Sequence, residues 1–350
     1  MRQVELSALN EPRVSVVICN HNHGDYLDRA VSSALGQTYP CEVIVVDDGS
    51  TDGSRESLHK WRDRARVVLQ ENGGQRSAYN AGFEHCTGDV VIFLDSDDYL
   101  SPDAAASVAK AFDEGVVKVH YRMLLVDERD RPLGVAIPTV LAHGDLLQGL
   151  VSKGTLYGSA PGSGNAYRVS ALRALFPLPV NPDDRYAADF FTIYGCIAFG
   201  RVAAIQRPLA AYRVSPETLV GLVFGNAVQQ VNDRELFKVR SREFRAWLAE
   251  RTLGTVVPPE ELVDFSRAKS LFATTIFMRP YLEGVRAGCA ELPRLLRSVW
   301  RNDSFSLVWK SFLSTWAMVV LFSPRAFGLP LARYVSNPAS RSSEKAEPPS

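Results

Sequence analysis

Val90-Val91-Ile92-Phe93-Leu94-Asp95-Ser96-Asp97-Asp98 is the stretch on which the fold turns. Five consecutive apolar residues predict a strand buried on both faces, as in a parallel sheet. Three carboxylates follow within four residues, where that strand must end. Acids so crowded resist ionisation unless something positive sits among them. A hard divalent cation, Mn²⁺ or Mg²⁺, suits the position because it takes oxygen ligands and shares them with substrate phosphates. A helix N-cap explains one polar residue there, Ser101 ahead of Pro102, but not three acids.

Outward from that strand the pattern repeats. Val14-Ser15-Val16-Val17-Ile18, Val43-Ile44-Val45-Val46 and Arg66-Val67-Val68-Leu69 predict three more strands. Leu27, Ala30, Val31, Ala34 and Leu35 recur at helical spacing and Gly36 stops them. Helices over 54–61 and 74–86 complete four strand–helix alternations, the pattern of a doubly wound, mostly parallel α/β sheet. Such sheets bind ligands beyond the carboxyl ends of their strands. The polar clusters at 20–22, 47–52, 72–76 and 95–98 all fall there. From 116 onward a hairpin is expected, with 119–126 and 132–137 flanking Asp127-Glu128-Arg129-Asp130. A Gly-, Ser- and Pro-rich loop over 154–164 follows, then helices over 168–175 and 187–199 and a short strand over 201–205. Beyond 216 the chain reads as helical to about 322.

Composition narrows the class. Of 350 residues, 46% are hydrophobic, enough for a sizeable core and against wholesale disorder. Lys+Arg and Asp+Glu number 39 each, so no global field recruits nucleic acid. Cys19, Cys41, Cys86, Cys196 and Cys289 are scattered without CxxC spacing, which suits a reducing cytosol. Residues 1–10 lack the apolar core of a signal peptide. Nothing in the first 300 residues reaches the roughly 20 apolar residues of a membrane span. The expectation is a cytoplasmic protein, peripheral at the inner face of the cytoplasmic membrane. Cys19, His21 and His23 alternate as a soft-metal site would, but Gly24 and a helix start break the strand, and a fourth ligand is wanting.

Chemistry can be assigned to the clusters. One of Asp47 and Asp48 can accept a hydrogen bond from a uracil imide or a ribose hydroxyl, while Asp52 caps the next helix. Asn72-Gly73-Gly74-Gln75-Arg76 exposes backbone at a helix start, with Arg76 placed to meet a phosphate. The series from Val14-Ser15-Val16-Val17-Ile18-Cys19-Asn20-His21-Asn22, through Gln37-Thr38-Tyr39-Pro40, 42–52 and 73–82, to 88–98 resembles family-2 glycosyltransferases. The likeness runs in order over about the first 215 residues.

That resemblance implies a GT-A fold, a nucleotide-sugar donor (a UDP-sugar first), inversion at the anomeric carbon, and Mn²⁺ or Mg²⁺. It implies that Asp47 and Asp48 contact the uridine, that Asp95 lies near ribose and metal, and that Asp97 is the main metal ligand. Cys19, Asn20, Asn22, Gly74, Arg76, Asn80 and Ser96 complete the donor set. Cys19 and Asn20 stand where the family usually has proline and threonine or serine. Pro161-Gly162-Ser163-Gly164-Asn165-Ala166-Tyr167-Arg168 resembles the acceptor-side strand and loop. Ala187-Ala188-Asp189-Phe190-Phe191 resembles the block whose acid opens a helix below the donor sugar, so Asp189 is the expected general base. Many members have glutamate where Ala188 stands, and Asp184 is the alternative base. Pro208-Leu209-Ala210-Ala211-Tyr212-Arg213 resembles the closing block, with Ser215 near the place of its frequent histidine.

The expected organisation is a GT-A domain over 1–230, a helical region over 231–335 and a disordered tail over 336–350. Val285, Leu292, Leu295, Leu296 and Val299 interleave with Arg286, Arg294, Arg297 and Arg301, and 307–322 carries Trp309 and Trp316 around Lys310. This suits a lipid surface or, for most of its length, packing on the core or on a second copy of the chain. The expected acceptor is a glycan or lipid-linked hydroxyl. A nucleotidyltransferase would need a basic, glycine-rich signature that 14–22 lacks. A silent sugar-nucleotide-binding scaffold fits poorly with the presence of both Asp97 and Asp189.

Overall fold

The computed structural model describes residues 12–224 and 233–341. The expected boundary at 230/231 and residues 342–350 lie outside them. Strands β1 (Val14–Asn20), β2 (Cys41–Asp48), β3 (Arg66–Gln70) and β4 (Val90–Asp95) run parallel in the order β3-β2-β1-β4. Residues Val90 to Leu94 are at most 1% exposed, as a strand covered on both faces requires. Side chains alternate between two cores. Val90, Ile92 and Leu94 join Leu27 and Val31 of α1 (Gly24–Leu35), while Val91 and Phe93 join Ala78 and Tyr79 of α2 (Gln75–Glu84). Register places Cys19 beside Asp95, Asn20 beside Asp47 and Asp48 beside Gln70, so the polar strand ends meet along one edge.

The sheet continues through β5 (Tyr99–Leu100), α3 (Ala104–Ala111), β6 (Val116–Val126), β7 (Pro132–Ile137), β8 (Asn165–Arg168), α4 (Ala188–Gly195) and β9 (Arg201–Arg213). Its order beyond β4 is β8-β6-β9-β5, with β8 antiparallel to both neighbours and β7 paired to β6 as the expected hairpin. Strand β9 is far longer than the expected 201–205. Its register on β6 jumps from Ile205 opposite Tyr121 to Pro208 opposite Arg122, so Gln206 and Arg207 bulge out and pairing resumes.

Helices α5 (Asp233–Arg251), α6 (Phe265–Phe277), α7 (Tyr281–Arg301), α8 (Leu307–Phe322) and α9 (Arg325–Ser336) follow. The last four share a core of their own around Phe272, Leu295, Val299 and Trp316, whereas α5 sends Phe244, Trp247 and Leu248 into the α2-side core. The expected tail is corrected for 336–341. Pro338–Arg341 forms a helical turn, and Asn337 Nδ2 donates to the carbonyls of Thr218 (2.6 Å) and Gly221 (2.8 Å).

One buried ion cluster ties the two halves together. Arg76 is 1% exposed and reaches Asp184 at 2.6 Å and Glu243 of α5 at 2.8 Å, with its guanidinium over the Phe191 ring. It also donates to the carbonyls of Pro179 (2.8 Å) and Tyr186 (3.1 Å). Deleting one member of such a cluster strands the others in low dielectric. Arg76→Met should therefore lower the unfolding free energy in urea by about 3 kcal/mol. A loss below about 1 kcal/mol, the range of an exposed pair, would remove the cluster's structural role.

Candidate functional site

The ends of β1, β2 and β4 turn Cys19, Asp48 and Asp95 to the α2 side. Asp48 is nearly buried and accepts from Gln70 Nε2 (2.6 Å), Gly73 N (2.8 Å) and Gly74 N (2.8 Å). It thereby holds the loop ahead of α2. Gly74 has φ +87°, and a Cβ there would lie 2.6 Å from the Arg185 carbonyl oxygen, so only glycine fits. Asp47 departs from expectation. Its side chain has no exposed surface and accepts from Arg55 Nε (2.7 Å), Asn20 Nδ2 (3.0 Å) and Ser50 N (3.1 Å). Burial pulls its carboxyl up, but those hydrogen bonds prevail and hold it below the usual range. Asp47 and Asn20 therefore help to shape the turn. Asn22 is exposed and accepts from Thr51 N at 2.7 Å. Beside it stand residues that the expected donor set left out. His21 Nδ1 lies 2.8 Å from the Asp48 carbonyl oxygen, Asn72 Nδ2 lies 3.0 Å from His21 Nε2, and Arg185 donates to Asn72. His21 and Asn72 do belong to strand-end clusters, the one signal pointing to them.

The tip of β4 carries the densest charge. Burial, then Asp97 and Asp189, push the half-buried Asp95 carboxyl up to about 7, against hydrogen bonds from Gln75 and Ser163. Asp189, in the first turn of α4, is also pushed up by burial, although its Oδ1 accepts from Phe190 N at 2.8 Å. A Cβ on Gly162 would stand 3.2 Å from Asp95 Oδ2, 3.6 Å from Asp189 Cβ and 3.7 Å from Tyr79 Oη. Glycine at 162 thus keeps open a hollow between the two acids. Gln75 spans it from above, since its Oε1 accepts from Ala188 N at 3.0 Å. Ala187 enters α4 with φ +66°, a conformation non-glycine residues seldom adopt and one that collects at functional sites.

Asp97 is half-exposed, and among the described residues its carboxylate accepts no hydrogen bond; its carbonyl accepts from Arg213 Nε at 2.9 Å. Asp98 is buried, accepts from Arg213 N at 3.0 Å, and is pushed well up by burial and then by Asp97 and Asp95. Among the described residues no three His, Cys, Asp or Glu side chains form a ready cage. Asp97 with Asp95 nonetheless fits a hard cation, which characteristically takes one or two carboxylates and completes its shell with phosphate oxygens and water. Their mutual repulsion is what such a cation would relieve.

Four of the expected residues are held by partners within the protein. Arg76 is held in its buried cluster. Asn80 donates to the Leu178 carbonyl (2.9 Å) and accepts from Leu178 N (2.7 Å), so it braces a loop. Ser96 is buried, its hydroxyl 3.3 Å from His23 Nδ1. Asp184 is clamped by both Arg76 and Arg240 and is no free base.

Beneath the hollow lies a buried polar network. Asn165 Nδ2 donates to the carbonyls of Pro161 (2.7 Å) and Gly162 (3.1 Å) and its Oδ1 accepts from Ser159, which in turn takes a 2.6 Å hydrogen bond from Lys118 Nζ. Burial pulls the Lys118 ammonium down to about 7 from 10.5. Between those values the unfolded chain holds a proton that the folded chain has lost, so this group raises stability as pH climbs from about 7 and penalises the fold below it. Comparing urea unfolding of the native chain and Lys118→Met at about pH 6.5 and 9 isolates the effect. The native chain should gain relative to the variant at the higher pH, and parallel behaviour would refute the shift.

A mostly parallel sheet with acidic strand ends around a glycine-floored hollow, covered by helices on both faces, defines a GT-A-type fold. Residues 15–176 match the family model for glycosyl transferase family 2. A glycosyltransferase of Nostoc sp. (strain PCC 7120), otherwise uncharacterized, is 37% identical over 211 residues, 58% of this chain and 65% of that protein. A hyaluronan synthase of Pasteurella multocida is 41% identical over 114 residues, 31% of this chain and 12% of that protein. The chain thus spans less than two thirds of the length of either. Among solved structures, S. aureus TarS 1-349 in complex with UDP-GlcNAc aligns with TM-score 0.50 and 17% identity over 93% of this chain and 90% of that one, a likeness of fold alone.

Proposed function

We propose that the chain transfers a sugar from a nucleotide-sugar, a UDP-sugar first, to a hydroxyl of a glycan or lipid-linked acceptor, with inversion. The observation that carries this is the convergence of Asp95 and Asp189 on Gly162, with Asp97 free beside them. The match to glycosyl transferase family 2 supports glycosyl transfer, and a solved structure of like fold binds UDP-GlcNAc. Asp97 and Asp95 would hold Mn²⁺ or Mg²⁺, which as a Lewis acid offsets charge on a departing diphosphate. The exposed edge of His21, Asn22 and Asn72 lies where the nucleoside would rest. Asp189, with its carboxyl raised toward neutrality, takes the proton of the acceptor hydroxyl. As that oxygen bonds to the anomeric carbon, the bond to the diphosphate breaks on the opposite face. A single displacement needs no protein nucleophile, so the configuration inverts.

The test is nucleotide release and product formation with a panel of nucleotide-sugars, with and without Mn²⁺. Asp189→Asn should slow transfer by about 10²–10⁴-fold while leaving UDP affinity intact. Near-native turnover by that variant would displace Asp189 as the base.

The membrane contact expected of the C-terminal helices belongs to the same reading. No helix among the described residues is long and apolar enough to cross a membrane. Leu282, Leu307, Val308 and Phe327 are exposed on α7 to α9, with Arg279 and Arg325 exposed nearby. Apolar and aromatic side chains rimmed by cations suit an anionic lipid surface, which would place the protein on the inner face of the cytoplasmic membrane. The chain should float with phosphatidylglycerol vesicles at low salt and Val308→Asp should weaken this. No flotation at low salt would reject the contact.

A further inference from the structure

A cleft of about 670 Å³ opens between α5, α6 and α7, away from the acids of β4. Seven cationic side chains and four carboxylates line it among the described residues, a local excess of positive charge in a chain that is neutral overall. The pairing inside it leaves that excess uncancelled. Glu291 is shared by Arg234 and Arg294. Arg245 gives its Nε to the Pro258 carbonyl at 2.8 Å, a neutral partner. Arg242 is exposed and makes no ion pair or hydrogen bond among the described residues. In the same wall Ser241 is 3% exposed, and among the described residues its Oγ has no hydrogen-bond partner. A buried hydroxyl without a partner costs stability, and here it lies among guanidinium groups suited to carboxylate and phosphate oxygens.

The cleft adjoins the site. Its wall residue Phe237 meets Phe190 edge-on with ring centroids 6.2 Å apart, and Phe190 follows Asp189 directly. We infer that this cleft binds an anionic stretch of the acceptor glycan through its phosphate or carboxylate groups, holding the chain one aromatic contact away from the base. The inference rests on the glycosyl-transfer reading and deepens it, since it makes a charged polysaccharide the preferred acceptor class.

Calorimetry on the full chain tests it with tetrapolyphosphate, tetragalacturonate and, as neutral control, maltotetraose. At least one anionic probe should bind, weakening as salt is raised, while maltotetraose should not. The stronger of the two anions tells phosphate from carboxylate. Arg242→Glu should weaken the anion by about tenfold or more, with thermal unfolding and UDP affinity unchanged. Ser241→Ala should weaken it too without loss of stability, because the hydroxyl forfeits no internal bond. Equal binding of maltotetraose, no anion binding, or anion binding indifferent to Arg242→Glu overturns the inference. Sugar transfer that persists when no anion binds would sink this inference alone. Anion binding without transfer to any hydroxyl would sink the catalytic reading instead.

Discussion

The buried guanidinium of Arg76 is the interaction on which the arrangement depends. A cation stripped of water must find acceptors for its charge and its N–H groups, and here they come from two separate parts of the chain. Asp184 and the carbonyls of Pro179 and Tyr186 bring in the loop before α4, and Glu243 brings in α5. Once that loop is docked, Gln75 N donates to the Arg185 carbonyl at 2.7 Å and Gln75 Oε1 receives Ala188 N. The loop ahead of α2 and the helix bearing Asp189 are thus held by one knot. Arg240, the second cation on Asp184, extends that knot along α5.

The acids at the end of β4 present the opposite situation. Asp47, Asp184 and Asp127 each have a cationic partner, whereas Asp95, Asp97 and Asp189 crowd one hollow with no ion pair among the described residues. Burial and mutual repulsion raise Asp95 toward neutrality, a cost the fold carries along with the left-handed Ala187. Such unrelieved charge beside an unbonded Asp97 makes sense if a ligand brings the countercharge. Asp98 has a different role. It accepts from Arg213, whose side chain also reaches Asp130 at 2.6 Å and the Asp97 carbonyl, so that β9 and the hairpin brace the acidic turn.

Strands β1 to β4 were readable because a strand buried on both faces is a continuous apolar run, and its polar end is an abrupt change. The same logic missed most of β9, since Gln206, Arg207 and Pro208 break the run where the chain bulges and then rejoins the sheet. The buried cluster of Arg76 was not legible for a deeper reason. After two glycines at a helix start an arginine resembles a phosphate ligand, and its partner Asp184 lies 108 residues away. Asn80 is similar, bonded to a backbone 98 residues distant. Gly162 lies in the block that resembles the acceptor-side loop, but its place between two acids comes only from the meeting of β4 with α4.

The sequence alone determined which segments are strands, that their carboxyl ends are acidic and polar, and that these blocks follow the order of a glycosyltransferase family. Those are local properties, set by period-two burial, turn residues and short motifs. Only the tertiary structure decided which acid is paired, which is buried and which stays free. Asp47, Asp97, Asp184 and Asp189 are chemically the same side chain. What separates them is the charge and hydrogen bonding supplied by residues distant in sequence, and that is set only when the sheet, α4 and α5 close on one another.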